Sequence, residues 1–197
     1  MSAQRKEKKM WSMLDRFFLR VLGEKAGKEV MAESRDQAAA FLAASPETSP
    51  SRRETMRTTI LPRTAVYTVL KRRGLDAEKL MEKYLREVQG PTARDQYAGL
   101  EWVPRFFEIF RWAFRKVTAS SDAWDSTFEA EKDRFDLTIR KCLWYDTCVE
   151  CGCPEACRFF CECDNYSFGE LKKVGFRRTQ TLGTGGDCCD FHFYKKR

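Results

Sequence analysis

Thr181-Leu-Gly-Thr-Gly-Gly-Asp-Cys-Cys-Asp-Phe-His-Phe193 is the stretch on which the reading of the fold turns. Gly183 to Asp187 is turn chemistry. From Cys188 the residues alternate: Cys189, Phe191 and Phe193 fall on one face, and Cys188, Asp190, His192 and Tyr194 on the other. That is the two-residue rhythm of a half-buried strand, with the phenylalanine face turned inward and Cys189 carried with it. Gly175 to Leu182 reads as its hairpin partner, joined through the glycine-rich turn. Further upstream, Phe135, Leu137 and Ile139 alternate with Asp136, Thr138 and Arg140 and predict another strand.

Ahead of this sheet the pattern is helical. Met10, Trp11, Leu14, Phe17, Phe18, Val21 and Leu22 recur at three- and four-residue steps, so residues 4–44 read as helix with a break at Gly23 or Gly27. Ser45-Pro-Glu-Thr-Ser-Pro-Ser-Arg-Arg53 has the composition of a linker, extended here over 45–61. A helix follows Pro62, ended by Gly74. Asp76 is placed to cap the next, Ala77 to Gln89, which Gly90-Pro91 should stop. Trp102 to Val117 predicts an aromatic helix whose Trp102, Phe106, Phe107, Phe110, Trp112 and Phe114 form one core-facing surface. Pro154 opens a short helix over Glu155 to Cys163, with Cys157 and Cys161 on one side of it. The expected architecture is α+β: N-terminal helices, then a small antiparallel sheet with a cysteine-rich helix or loop insertion. Three segments result, an amphipathic helical one (1–44), the linker (45–61) and the cysteine-containing domain (62–197).

Composition narrows the chemistry. All nine cysteines lie between Cys142 and Cys189, and His192 is the one histidine in 197 residues. A site with three histidines on zinc is excluded, as is a deaminase with the H-x-E pattern. Gly183-Thr-Gly-Gly lacks the Lys-Ser/Thr of a phosphate-binding loop and precedes a strand. The odd, one-sided cysteine count and the charges interrupting the N-terminal apolar stripe argue for a reducing, cytoplasmic compartment rather than a secreted disulfide framework. No apolar run approaches the ~20 residues of a membrane span. The net charge of +7 is concentrated in Arg5–Lys9 and Lys195–Arg197, and the aromatics read as core, so a nucleic-acid partner is disfavoured. A homo-oligomer is compatible with the sequence.

Two readings of the thiols remain. Cys148-x2-Cys151 with Cys153 and Cys157 offers ligands for a structural metal, zinc being the candidate, although the spacings fit no standard finger. Otherwise no cofactor is called for, and the cysteines serve a thiol site, either hydrolytic or, as the alternative alongside metal binding, one for thiol redox without hydrolase activity. Here the residues carry a resemblance. Pro154-Glu155, Cys157, Phe160-Cys161-x-x-Asp164 and Arg178-Thr-x-Thr-Leu-Gly-x-Gly-Gly-Asp-Cys-Cys-Asp-Phe-x-Phe193 resemble the C-terminal signature of the 2-amino-thiazoline-4-carboxylate hydrolase family. The similarity extends more weakly over Phe135 to Asp146 and the helices from Ala65 to Tyr84, and leaves the first ~60 residues without support. It implies a small α+β protein that opens the cyclic amidine of 2-amino-thiazoline-4-carboxylate to N-carbamoyl-cysteine, a reaction read as carbon–nitrogen hydrolysis. Cys148, Cys151, Cys153, Cys163 and His192 depart from the family pattern.

Attack on the amidine carbon needs a thiolate or an activated water, and a carboxylate to move protons. Cys161 is the expected nucleophile and Cys189 the second choice, with Asp164 as base or amidinium anchor. For a small-molecule carboxylate substrate, Arg178 offers a two-pronged clamp, with Arg177 as its understudy. Gly185 and Gly186 offer backbone amides to developing negative charge, and Asp187, Asp190 and His192 are further binding candidates.

Overall fold

The computed structural model describes residues 2–197. It divides into two compact units, one made of the chain up to Tyr84 together with Asp146–Ala156, the other of Leu85–Tyr145 with Cys157–Arg197.

The first unit is helical. Helices α1 (Ala3–Leu22) and α2 (Glu24–Ala44) fold back on each other across Gly23, whose φ of +83° a side chain would resist. Leu14, Phe17 and Phe18 of the predicted stripe are buried. Gly27 is not a break but a contact point. A Cβ there would lie 2.7 Å from the Leu19 Cα and 2.9 Å from the Phe18 carbonyl oxygen, so only glycine lets the two backbones approach. Because backbone and not a flexible side chain blocks the space, Gly27→Val is expected to cost roughly 3 kcal/mol, the upper part of the usual overpacking range. Urea unfolding measures it, and a loss under about 0.5 kcal/mol would show that the helix pair can part without penalty.

The expected 45–61 linker shrinks to Ser45–Ser49. Ser49 caps α3 (Pro50–Thr55) through its side chain, and Pro50 occupies the first turn. Arg53 donates to the carbonyls of Leu42 (3.0 Å) and Glu47 (2.9 Å), which ties the turn down. The composition was that of a linker; capping and the buried apolar anchors Met56 and Ile60 just beyond it made helix instead. From α3 the helix passes through a π turn, Met56–Ile60, into α4 (Leu61–Arg72), the central and almost wholly buried helix of this unit. Asp76 Oδ1 accepts from the Lys79 amide at 3.0 Å and caps α5 (Ala77–Tyr84) as expected.

Gly90-Pro91 does not stop the chain's helical path. A second π turn, Leu85–Gln89, leads into α6 (Gly90–Ala98). Both π turns lie just before a proline, Pro62 and Pro91. A widened turn accommodates the missing amide and the ring's clash with the carbonyl four residues back.

In the second unit α7 (Phe106–Ser120) packs on a four-stranded antiparallel sheet of order β1-β2-β4-β3: β1 (Trp124–Ala130), β2 (Arg134–Cys142), β3 (Val174–Arg177) and β4 (Cys189–Lys195). Phe135 pairs with Phe193 and Leu137 with Phe191 across β2 and β4. These side chains meet Phe106, Phe107 and Phe110 of α7 and Phe168 of α9 (Cys157–Phe168), the helix that follows α8 (Leu143–Glu150) in the chain, in one core. The predicted inward face of β4 is therefore the buried one. Three expectations change. Strand β1 was not anticipated, because its alternation is that of a half-exposed edge strand. The strand expected to reach Leu182 ends at Arg177, since the Thr179 and Gln180 amides turn to the Asp190 carboxylate at 2.9 and 2.8 Å. Trp102 precedes α7 and is 79% exposed, and Trp112 is 58% exposed, so neither belongs to the core face.

Candidate active site

Cys157 and Cys161 stand one turn apart on α9, and Cys189 opens β4. Between β3 and β4 the chain makes a short 3-10 turn, Leu182–Thr184, that lies directly on this thiol pair. A Cβ on Gly183 would sit 2.9 Å from the Cys161 sulfur and 3.1 Å from that of Cys157, so the absent side chain is what lets the loop close. The Leu182 amide donates to Cys189 Sγ at 3.4 Å. Two sulfur-bearing segments far apart in sequence thus meet.

The electrostatics are asymmetric. Hydrogen bonds from the Cys157 and Cys189 thiols, then from the Thr181 hydroxyl, together with the nearby Arg178 charge, outweigh burial and hold the Cys161 thiol well below its ordinary value. The same contact with Cys161, aided by burial, pushes Cys189 up. Negative charge therefore settles on Cys161. Iodoacetamide is expected to alkylate Cys161 at pH 6 nearly as fast as at pH 8, whereas an ordinary thiol, with a pKa of ~8.5, slows roughly a hundredfold over that interval. Peptide mapping of the modified protein reads this, and a rate at Cys161 that climbs tenfold per pH unit would sink it.

Arg178 is 8% exposed at its side chain. Its Nη1 donates both to Asp164 Oδ2 at 2.9 Å and to the Cys161 carbonyl at 3.0 Å. The guanidinium also lies over the Phe191 and Phe176 rings, 5.6 and 5.9 Å from their centroids. Asp164 is pulled two ways. Desolvation raises its carboxyl, Arg178 lowers it, and the Cys161 charge raises it again, leaving it at about 7. The side chain keeps 32% of its surface open, and solvent reaching that part trims the rise.

The other expected site residues go elsewhere. The Gly185 and Gly186 amides are spent inside the turn, on the carbonyls of Leu182 (3.2 Å) and Thr181 (2.9 Å), so they do not point at an incoming anion. Asp187 is exposed and its amide donates to Gln180 Oε1. Asp190 and His192 lie on the sheet face opposite Cys189. Burial of Asp190 is outweighed by hydrogen bonds from Thr179 and Gln180, which lower its carboxyl and make it a cap for the loop. His192 bonds Asp136 through Nδ1 at 2.7 Å, a contact that raises its pKa. Arg177 faces His192 across the β3–β4 pair. Alternation along β4 already separated Cys189 from these residues; the folded sheet shows that the two faces serve different purposes.

All nine cysteines are free thiols. Of the four proposed metal ligands, Cys148 lies 3.8 Å from the Thr64 hydroxyl and Cys153 3.6 Å from that of Thr68. Cys157 turns to Cys161 instead. Burial pushes Cys151 up to about 12 and Cys153 to about 11. Among the described residues no group of three or more histidine, cysteine, aspartate or glutamate side chains is arranged to hold a metal ion. Thr181 and Gly183 are contributors to the thiol site that sequence reasoning left unassigned, and Cys157, offered there as a metal ligand, is a third. All three stand inside the quoted signature, so the signal was present without a geometry to interpret it.

Fold and site together define an α+β protein with a thiol cluster flanked by an arginine–carboxylate pair. The model of the L-2-amino-thiazoline-4-carboxylic acid hydrolase family matches residues 52–193, and the chain belongs to that family. No curated protein matches the chain. A crystal structure of the Fe(II) unliganded H-NOX protein from K. algicida aligns over 97% of each chain, with 10% sequence identity and a TM-score of 0.38, a likeness too slight to carry an argument. No helix among the described residues is long and apolar enough to cross a membrane.

Proposed function

We propose that this protein hydrolyses a 2-amino-thiazoline-4-carboxylate-like cyclic amidine, with Cys161 as the nucleophile. The observation that carries the reading is the convergence of the Cys157, Cys189 and Thr181 donors on the Cys161 sulfur, with Arg178 beside it. A thiolate held at neutral pH is what attack on an amidinium carbon requires.

Atom balance fixes the bond that breaks. N-carbamoyl-cysteine retains both nitrogens on the former ring carbon, so the ring opens at carbon–sulfur, and the expectation of carbon–nitrogen cleavage gives way. In the first half-reaction Cys161 Sγ bonds to the ring carbon, the carbon–sulfur bond breaks, and the departing sulfur takes a proton. An isothiourea then links Cys161 to the opened substrate. In the second half-reaction a water oxygen bonds to that carbon; one of its protons ends on nitrogen and the other on the released Cys161, leaving a urea. Cys189 carries the proton beside Cys161; once Cys161 is bonded to carbon the charge that raised Cys189 is gone, and its proton can pass to the departing sulfur. Asp164, with its carboxyl raised toward neutrality, suits the group that takes the proton from water. Arg178, already engaged by Asp164 and the Cys161 carbonyl, sets charge in the site rather than clasping the substrate carboxylate.

The test is direct. Purified protein incubated with 2-amino-thiazoline-4-carboxylate should release one new thiol per ring opened, and in 18O-labelled water the label should appear in the ureido oxygen. Folded protein that releases no thiol from this substrate overturns the reading.

A further inference from the structure

Sequence reasoning set nucleic acid aside on two grounds: basic charge confined to the chain ends and aromatics confined to the core. The second unit departs from both. Three clefts adjoin on its surface. The first, about 540 Å³, is lined by Trp102, Arg94, Lys172 and Lys173. The second, about 280 Å³, shares Lys173 with the first and adds Arg105, Lys195 and Lys196. The third, about 470 Å³, shares Glu108 with the second and is lined by Trp112, Arg111, Arg115 and Lys132.

Nine cations line the three clefts against four carboxylates. Glu170 lies 4.0 Å from Arg94, and the other three acids have partners of their own. Glu101 accepts from the Lys172 and Lys173 amides at 3.0 and 2.7 Å, Glu108 pairs with Lys195 at 2.7 Å, and Glu131 pairs with Arg134. Several of the cations spend their hydrogen bonds on neutral carbonyls, which leaves their charge intact: Arg111 on Lys132, Lys173 on Val103 and Lys196 on Leu171. The two tryptophans are the other half of the pattern. Trp102 and Trp112 are 79% and 58% exposed, among the most open large apolar side chains of the described residues, and Lys116 lies 4.6 Å from the Trp112 ring centroid.

We infer that these connected clefts form a binding groove for single-stranded nucleic acid, with the lysines and arginines following the phosphates and Trp102 and Trp112 stacking on bases. A groove lined by cations and interrupted by exposed aromatics is the arrangement that takes a flexible polyanion carrying planar rings. A duplex would keep its bases stacked away from the tryptophans. An anionic bilayer would call on a projecting apolar surface rather than on clefts. The groove uses none of the thiol-site residues, so the inference stands apart from the ring-opening reading.

Fluorescence anisotropy of the full chain with labelled single-stranded RNA and DNA oligonucleotides of about a dozen residues tests it, in the span of known site sizes. Binding is expected at low salt, with affinity falling as salt rises at a log–log slope of about −3, for four or five phosphates neutralised. Trp102→Ala and Trp112→Ala should each weaken binding roughly tenfold, and Lys173→Glu, in the cleft between them, should weaken it and flatten the salt slope. Circular dichroism of each variant checks that the fold is kept. Absence of binding in low salt overturns the inference. So does binding that both tryptophan variants leave unchanged, equal preference for duplex, or association with phosphatidylserine vesicles but not with oligonucleotide.

Discussion

Cys161→Ser is expected to lower kcat/KM for ring opening by at least about a thousandfold while leaving the protein folded. Removing a covalent nucleophile costs on that scale or beyond, because both half-reactions pass through it. A serine hydroxyl in the same place cannot hold the charge that the surrounding donors stabilise on sulfur, since an alcohol gives up its proton far less readily than a thiol. The fold should survive because serine is no larger than cysteine and its hydroxyl can bond Thr181 in place of the thiolate. Cys189→Ser serves as the comparison. If Cys189 supplies a proton and Cys161 the bond, Cys189→Ser should lose only about a hundredfold, the low end of the range for loss of a proton-transfer group. Full turnover in Cys161→Ser would end the nucleophile assignment and favour a water activated by Asp164. Equal losses in the two variants would mean that the pair acts as one unit.

The second large effect is on stability. Arg178→Met should destabilise the fold by roughly 3 kcal/mol at pH 8 and by clearly less at pH 5. Breaking an enclosed ion pair by removing one partner leaves the other charge without compensation, which typically costs ~3–5 kcal/mol. The low end applies here because Asp164 keeps 32% of its side chain open to solvent and can also take up a proton. That second escape gives the effect its pH dependence. Asp164 has a folded pKa raised to about 7 against an unfolded value of ~3.9. A carboxyl raised by folding contributes stability that is fully present below ~3.9 and is lost as pH climbs through about 7. Without the guanidinium its folded pKa moves higher still, so the variant's deficit opens as pH rises past about 7, where the original carboxyl ionises and the variant's does not. Urea unfolding at the two pH values reads the difference. Adding Asp164→Asn should recover much of the loss by removing the stranded charge. A deficit equal at both pH values would assign it to lost packing of the arginine on Phe176 and Phe191 instead.

The sequence was legible wherever one short period fixed the outcome. Alternation in Cys189, Phe191 and Phe193 told which side of β4 is buried, and the same argument set Asp190 and His192 on the other side. Asp76 read as a cap and is one. Where a second part of the chain had the deciding vote, local rules failed. Pro50 carried linker composition but starts a helix, because Met56 and Ile60 beyond it are buried. Gly90-Pro91 looked like a terminator, yet a π turn absorbs the proline. Trp102 and Trp112 shared a helical period with the core phenylalanines but are exposed, since a wide aromatic stripe exceeds what one sheet face can cover.

Residue order alone determined that this chain carries its reactive side chains in one C-terminal quarter, in a region of small antiparallel sheet preceded by helices, and that it bears the signature of its family. Those are properties of spacing and periodicity, which need no partner to be expressed. Only tertiary structure decided which thiol holds charge. Cys161 and Cys189 are the same group in sequence, and what separates them is how many donors each one meets. That number depends on Gly183 letting a distant loop close over α9. It also turned the Gly185 and Gly186 amides inward, because a backbone donor bonds the nearest acceptor the fold supplies.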